Sequence, residues 1–272
     1  MKNIRISAFS DEVHNDPIEA FSIMKNLGVE GIQLRSVNGA NVMDLNKSQI
    51  QDTKKVADDL GMTFHAIGSP IGKSNISDDE GKVYDSIKLV AEIANELETD
   101  RIRIFSFYSN YDHKDILYRN LVIERLNEMV RIADENSVKL IHENEKEIYG
   151  DNAERCNDIL ENVKRLGCCF DFANFIQVNQ DTLEAWDILS QKVIYFDVKD
   201  AIYSSGLVVP AGEGEGNLVK IFKKAFDRGF SDWFNIEPHL RVADGSEWIE
   251  GGPQLFKTAV KALNNCIDQS LD

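Results

Sequence analysis

Four carboxylates stand at the ends of four apolar runs in the second half of the chain. Leu140-Ile141-His142 leads into Glu143, and Cys168-Cys169-Phe170 into Asp171. Val193-Ile194-Tyr195-Phe196 leads into Asp197, and Trp233-Phe234-Asn235-Ile236 into Glu237. An apolar run that meets ionisable groups with no turn between them is how a buried parallel strand looks when its carboxyl end opens on a site. Acids packed together without a counter-charge repel, and some then hold protons. A divalent cation removes that cost, and an all-oxygen ligand set suits a hard ion, Mg²⁺ or Mn²⁺. Taken singly, each acid also reads as a solvated loop residue or a helix cap. Their arrival at successive strand ends is what argues for a shared site.

Cations fall on the same rim. Arg35 and Lys73 follow the second and third expected strands, Lys146 the fifth, and Lys199 sits near the end of the seventh. Such groups suit a phosphate, a carboxylate or an enediolate oxygen, or else ion pairs with the surplus of acid. His239 follows Glu237 by two residues and shares its face, so it is a candidate for touching substrate. His142 points to the face opposite Glu143 and reads as a packed histidine. His65 lies within the third strand, where it either lines the barrel mouth or packs. Gly212-Glu213-Gly214-Glu215-Gly216 lacks the GK[ST] ending of a phosphate loop and carries two acids, so it reads as a loop that shapes the entrance.

These side chains need strands to carry them, and strand and helix signals alternate along the whole chain. Ile4 to Phe9, Gly31 to Leu34, Thr63 to Ile67 and Arg101 to Phe105 read as the first four strands, followed by the four runs above. Helices fall between them. Asp16-Pro17 opens one as N-cap and first helical residue, with Ile18, Phe21, Ile23, Met24 and Leu27 as its apolar face. Another spans Ile116 to Glu135, with Leu117, Leu121, Leu126, Val130 and Ala133 expected inward. Unbroken alternation argues for a parallel sheet covered by helices. Eight such units in a single domain over 1–272 predict an α/β fold of the (β/α)8 TIM-barrel type. A doubly wound open sheet is the alternative, but its glycine-rich first turn is missing from Ser10-Asp11-Glu12-Val13.

The composition narrows the partners. The 272 residues are 43% hydrophobic, which is ample for a core, and the formal net charge of -16 disfavours a phosphate backbone as partner. No apolar run is long enough to span a bilayer, no secretory leader opens the sequence, and a cytoplasmic location is expected. The four cysteines lack metal-finger spacing and are expected to be reduced and buried.

Several stretches together resemble the sugar phosphate isomerase/epimerase superfamily, the xylose isomerase-like TIM barrels. They are Glu30 to Arg35, Ala66 to Lys73, Arg103 to Tyr108, His142 to Glu145, Phe170 to Phe175, Val198 to Ala201 and Ile236 to Leu240, and they cover nearly the whole chain. The resemblance implies a metal-dependent enzyme that isomerises or epimerises a small sugar, sugar phosphate or polyol through an enediolate. It implies one divalent metal on Glu143, Asp171 and Glu237, with a histidine as the fourth ligand. Here that fourth position is Asp197, in Asp197-Val198-Lys199-Asp200, which favours Mg²⁺ or Mn²⁺ over Zn²⁺ or Co²⁺. Glu143 and Glu237 would exchange the proton. Arg35, His65, Lys73, Asn174, Lys199 and His239 would bind substrate, Asn174 standing where the family's pattern has a histidine. Homo-oligomers occur among such barrels. A dehydratase of the same superfamily, or a non-catalytic sugar-binding barrel that has lost the metal histidine, are the alternatives.

Overall fold

A computed structural model describes residues 4–244 and 247–271, with side chains outside 242–250. Eight parallel strands form a closed barrel: β1 (Arg5–Phe9), β2 (Gly31–Leu34), β3 (Thr63–Gly68), β4 (Arg101–Ile104), β5 (Lys139–Glu143), β6 (Gly167–Asp171), β7 (Val193–Val198) and β8 (Trp233–Ile236). Each strand pairs with its neighbours in the chain, and β8 closes on β1 with Ser7 beside Asn235. The doubly wound alternative is thereby excluded. No helix among the described residues is long and apolar enough to cross a membrane.

Side-chain caps open most of the helices, and the first starts on Asp16-Pro17 as expected. Asp16 accepts from the Ile18 amide ahead of α1 (Pro17–Asn26), and Asn46 forms a capping box with Gln49 ahead of α2 (Lys47–Asp59). Asp79 caps α3 (Glu80–Glu96), Asp115 caps α4 (Ile116–Glu135) and Asn152 caps α5 (Ala153–Asn162). A short helix, α6 (Phe172–Gln177), starts directly on the site acid Asp171. Beyond it come α7 (Thr182–Leu189), α8 (Leu218–Asp227) and α9 (Pro253–Leu271).

The inward faces differ from expectation at two places. Ile18 is exposed, and so are Leu117 and Leu121. In α4, Leu126, Val130 and Ala133 are buried as expected. Only the first two turns differ, where Tyr118 and Val122 take the inward places and the Tyr118 hydroxyl donates to the Phe107 carbonyl at 2.6 Å. All four cysteines are free and buried.

Helices and strands share a large core between barrel and shell, while a smaller cluster of Ile141, Cys169, Tyr195 and Trp233 plugs the barrel itself. That plug leaves the carboxyl ends of the strands as the floor of a cavity. Outside the barrel, His142 is fully buried beside the Ser106 hydroxyl at 2.9 Å, and burial pushes its imidazole down to about 3. It is neutral when folded, whereas the unfolded chain takes a proton below the usual histidine value, so its contribution is complete above that value and lost as pH falls. Replacing His142 with Gln should shift stability relative to wild type by about 1.4 kcal/mol, in the variant's favour, between pH 7.5 and 5.5. Urea unfolding at both pH values reads the difference. An unchanged difference would contradict a buried neutral histidine.

Candidate active site

The strand ends deliver one layer of polar side chains. Glu143 and Asp171 are the last residues of β5 and β6, Asp197 lies in β7, and Lys199 and Glu237 follow β7 and β8. Arg35 follows β2, Arg103 lies in β4, and Glu12 closes the 3-10 turn after β1. All but Arg35, which is partly buried, are buried. Donor oxygens of Glu143, Asp197 and Glu237 lie within 4.8 Å of one another. Register explains part of this convergence: Asp171 pairs with Asp197, and Asp197 with Asn235, across adjacent strands.

The protein's own cations thread between these acids. Lys199 Nζ lies 2.9 Å from both Asp171 Oδ2 and Glu237 Oε2. Arg35 reaches Glu237 at 3.1 Å, Glu12 at 3.2 Å and Asp11 at 2.8 Å. His239 places Nε2 3.3 Å from Glu237 and Nδ1 3.2 Å from Glu12. Its backbone lies in the left-handed region, at φ 41°, and its amide N–H donates to Glu12 Oε2 at 2.8 Å. Arg103 Nη1 donates to Glu143 Oε2. Asp171 also caps α6, which fixes Asn174 so that its Nδ2 donates to Glu143 Oε1 at 3.2 Å.

Asp197 is held differently. Asn235 donates to its Oδ1 at 2.7 Å, Ser7 donates to Asn235 at 3.0 Å, and His65 Nδ1 meets the Ser7 hydroxyl at 3.1 Å. Because Ser7 has already given its proton to Asn235, His65 must be the donor, which fixes its tautomer. His65 thus packs inside the barrel, with its ring 4.6 Å from that of Tyr195, and supports Asp197 from below. It is not on the rim. Asp197 Oδ2 is buried with neither a hydrogen bond nor an ion pair among the described residues. A buried carboxylate oxygen without a partner is costly. A hard divalent ion beside Glu143 and Glu237 would satisfy it, so the donor set fits such an ion. Asp171, expected as a further ligand, stands outside this trio and faces Lys199.

Charge is unevenly spread over the layer. Burial lifts Asp171 to about 7 against the pull of Lys199. Burial, reinforced by Glu143 and Glu237, lifts Asp197 well above the carboxylate range. Burial acts on Glu237 in the same sense, yet Lys199, His239 and Arg35 together hold it well below that range. His239 is held above the usual histidine value by Glu237 and Glu12, although burial opposes it. Glu237 is therefore held firmly ionised, while Asp171, Asp197 and Glu12, which burial also lifts, lack sufficient positive charge.

Two cavities open above it. The inner one, about 230 Å³, is bounded by Arg35, Arg103, Glu143, Lys199, Glu237 and His239. The outer one, about 590 Å³, adds Lys146 and Asn174 and is walled by residues 205–208. Lys73 stands at the inner mouth, paired with Glu145 at 2.7 Å. The wall of the outer cavity precedes the glycine-rich run 212–216, which lines neither cavity and was expected to shape the entrance. Asp200, buried after β7, accepts from the amides of Ala201, Gly212, Gly214 and Gly216 at 2.9–3.0 Å. A Cβ at Gly214 would sit 2.4 Å from Asp200 Oδ1, so glycine permits the approach.

Arg103 and Glu12 were not anticipated as site residues. The alternation Arg101-Ile102-Arg103-Ile104 carried the signal, since a charge inside a strand covered on both faces must point into the barrel. Asp11 and Glu12 follow the first strand as the other acids follow theirs.

Residues 21–266 match the family model described as xylose isomerase-like TIM barrel. No curated protein matches the sequence at a significant level. Among solved structures, a D-psicose 3-epimerase from Clostridium cellulolyticum H10, crystallised with D-tagatose, is 15% identical with a TM-score of 0.73, covering 97% of this chain and 98% of that one. A probable 3-DHS dehydratase from Bacillus anthracis is 17% identical with a TM-score of 0.74, covering 96% and 99%. A xylose isomerase-like TIM barrel protein from Mycobacterium smegmatis in complex with magnesium is 15% identical with a TM-score of 0.71, covering 100% and 98%.

Proposed function

Because the chain belongs to the xylose isomerase-like TIM barrel family, we propose that it is a divalent-metal-dependent isomerase or epimerase of a small sugar, sugar phosphate or polyol, acting through an enediolate. The observation that carries this reading is the convergence of Glu143, Asp197 and Glu237 within 4.8 Å beneath a cavity lined by cationic donors. Glu143, Asp197 and Glu237 would hold the ion, with Mg²⁺ or Mn²⁺ favoured by the carboxylate set. When bound, it supplies Lewis acidity that makes a C–H beside a substrate carbonyl easier to ionise.

The remaining work falls to side chains. Glu143 is the proton acceptor, since the guanidinium of Arg103 bonds to one of its oxygens and the neutral Asn174 amide to the other. Glu237 is surrounded by Lys199, Arg35 and His239 and serves as a fixed anion that keeps His239 protonated. The Glu237–His239 pair returns a proton, to the neighbouring carbon in an isomerase or to the opposite face in an epimerase. Lys199 and Asn174, both at the floor of the outer cavity, orient substrate hydroxyls, and Lys73 closes the inner mouth. The same enediolate can expel a β-hydroxyl, and the likeness to a probable dehydratase supports dehydration as the second reading.

Chelation tests the metal requirement. Turnover of a panel of ketoses and their phosphates should disappear after treatment with a chelator and return with Mg²⁺ or Mn²⁺. Turnover that survives chelation would remove the ion from the scheme. Binding of sugar without turnover under any ion would favour a binding protein.

A further inference from the structure

We propose that Arg103 binds two adjacent oxygens of the substrate through its Nε and Nη2, which makes it a direct participant in enolisation and not merely a partner of Glu143. The inference rests on the enediolate reading above and names what that site recognises: a cis pair of oxygens, as in an α-hydroxyketone passing to its enediolate.

Arg103 is 4% exposed and lines the inner cavity beside Glu143, Lys199 and Glu237. Its Nη1 donates to Glu143 Oε2. Nε is buried with no hydrogen-bond partner, and no bond to Nη2 is made among the described residues. These two nitrogens form one edge of the guanidinium fork, with parallel N–H bonds spaced for two oxygens on neighbouring atoms. A buried guanidinium with an open edge bears a desolvation cost that an incoming pair of oxygens relieves.

The surroundings hold that unpartnered edge in place. The guanidinium lies 4.5 Å from the centre of the Phe105 ring and 5.3 Å from that of Phe9, so it is stacked and cannot swing freely. Gly68, which lines the same cavity, carries no side chain toward it. A Cβ there would lie 3.4 Å from Arg103 Nη2 and 2.6 Å from Phe9.

The chemistry balances without another reagent. Glu143 takes the proton from the carbon beside the carbonyl, the C–H electron pair forms the C=C bond, and the carbonyl π pair moves onto oxygen. As Glu143 becomes neutral, the Arg103 charge it had compensated is released to the new oxyanion through Nε and Nη2. Reprotonation from the Glu237–His239 pair at the opposite face reverses the electron flow. At the other carbon it does so as the neighbouring hydroxyl passes its proton to the first oxygen and becomes the new carbonyl. In either case the proton left on Glu143 returns to the pair through solvent.

Oxalate, a planar dianion with vicinal oxygens, is a suitable probe. Calorimetric titration of chelator-treated full-length protein should detect binding that weakens at least tenfold in Arg103→Lys and Arg103→Gln, and that persists in Glu143→Gln. Lysine keeps the charge and loses the fork, so equal loss in both variants points to two-point recognition. In wild-type protein, the ¹⁵Nε signal of one slowly exchanging arginine should shift on adding oxalate, a readout that needs no folded variant. Oxalate that binds wild type and both variants equally, or that moves no arginine Nε signal, would overturn the assignment. If turnover fails in every sugar while oxalate still binds through Arg103, the proton-transfer reading is the one that falls.

Discussion

Glu143→Gln is expected to lower turnover by about 10²–10⁴-fold, the range for loss of a positioned proton acceptor. The amide keeps the size of the side chain and its bond to Asn174 Nδ2, which lies 3.2 Å from Oε1 in the wild type. It cannot take a proton. It also removes one charge from beside Asp197, so the loss of the Arg103 pair is offset by relief of repulsion, and the unfolding midpoint should stay close to wild type. Glu237→Gln should be as inactive but less stable. It leaves Lys199, Arg35 and His239 short of the carboxylate all three share, and breaking a buried ion pair typically costs roughly 3–5 kcal/mol. Steady-state assays with denaturant titration of both variants separate the two effects. Full activity in either would contradict proton exchange between these groups.

Binding of a divalent ion should produce the largest shift in stability. At a concentration about a thousandfold above its dissociation constant, an ion held only by the folded state contributes roughly 4 kcal/mol. For a chain of this length that corresponds to a rise of about 7 °C in melting temperature. Mg²⁺ and Mn²⁺ should stabilise most, and Asp197→Ala should abolish the effect. Asp197→His should keep it but move the preference toward Zn²⁺ and Co²⁺, because an imidazole replaces a hard oxygen donor. Binding should also release protons, since Asp197, one of the three ligands, is lifted well above the carboxylate range by burial and its neighbouring acids. No stabilisation by any of the four ions would mean that the aspartate has broken the site, and the family's fold would then serve sugar binding alone.

The carboxylates of strands five to eight were legible because each directly follows an apolar run, so sequence position alone puts them at a strand end. The barrel was legible for the same reason, from the alternation of strand and helix. Arg103 was harder, because a charge alternating with isoleucine in a strand ordinarily marks a solvent face. Only closure of the sheet turns that face into the barrel. His65 was ambiguous because the chain His65–Ser7–Asn235–Asp197 joins four strands far apart in sequence. Leu117 and Leu121 misled because Tyr118 and Val122, one residue over, are apolar as well and fill the inward places of the first turns, while Leu126, Val130 and Ala133 face inward as read. The glycine-rich run was expected to shape the entrance, but its residues line neither site cavity; the wall is made by residues 205–208 before it. That three of its glycine amides are pinned on Asp200 has no trace in local periodicity.

The most direct test of proton transfer at this site is incubation with a panel of ketoses and ketose phosphates in D₂O, followed by NMR. Deuterium entering at the carbon beside the carbonyl, and not entering with Glu143→Gln, is the expected result. No exchange with any sugar that binds, or exchange that persists undiminished in Glu143→Gln, would contradict enolisation by this carboxylate.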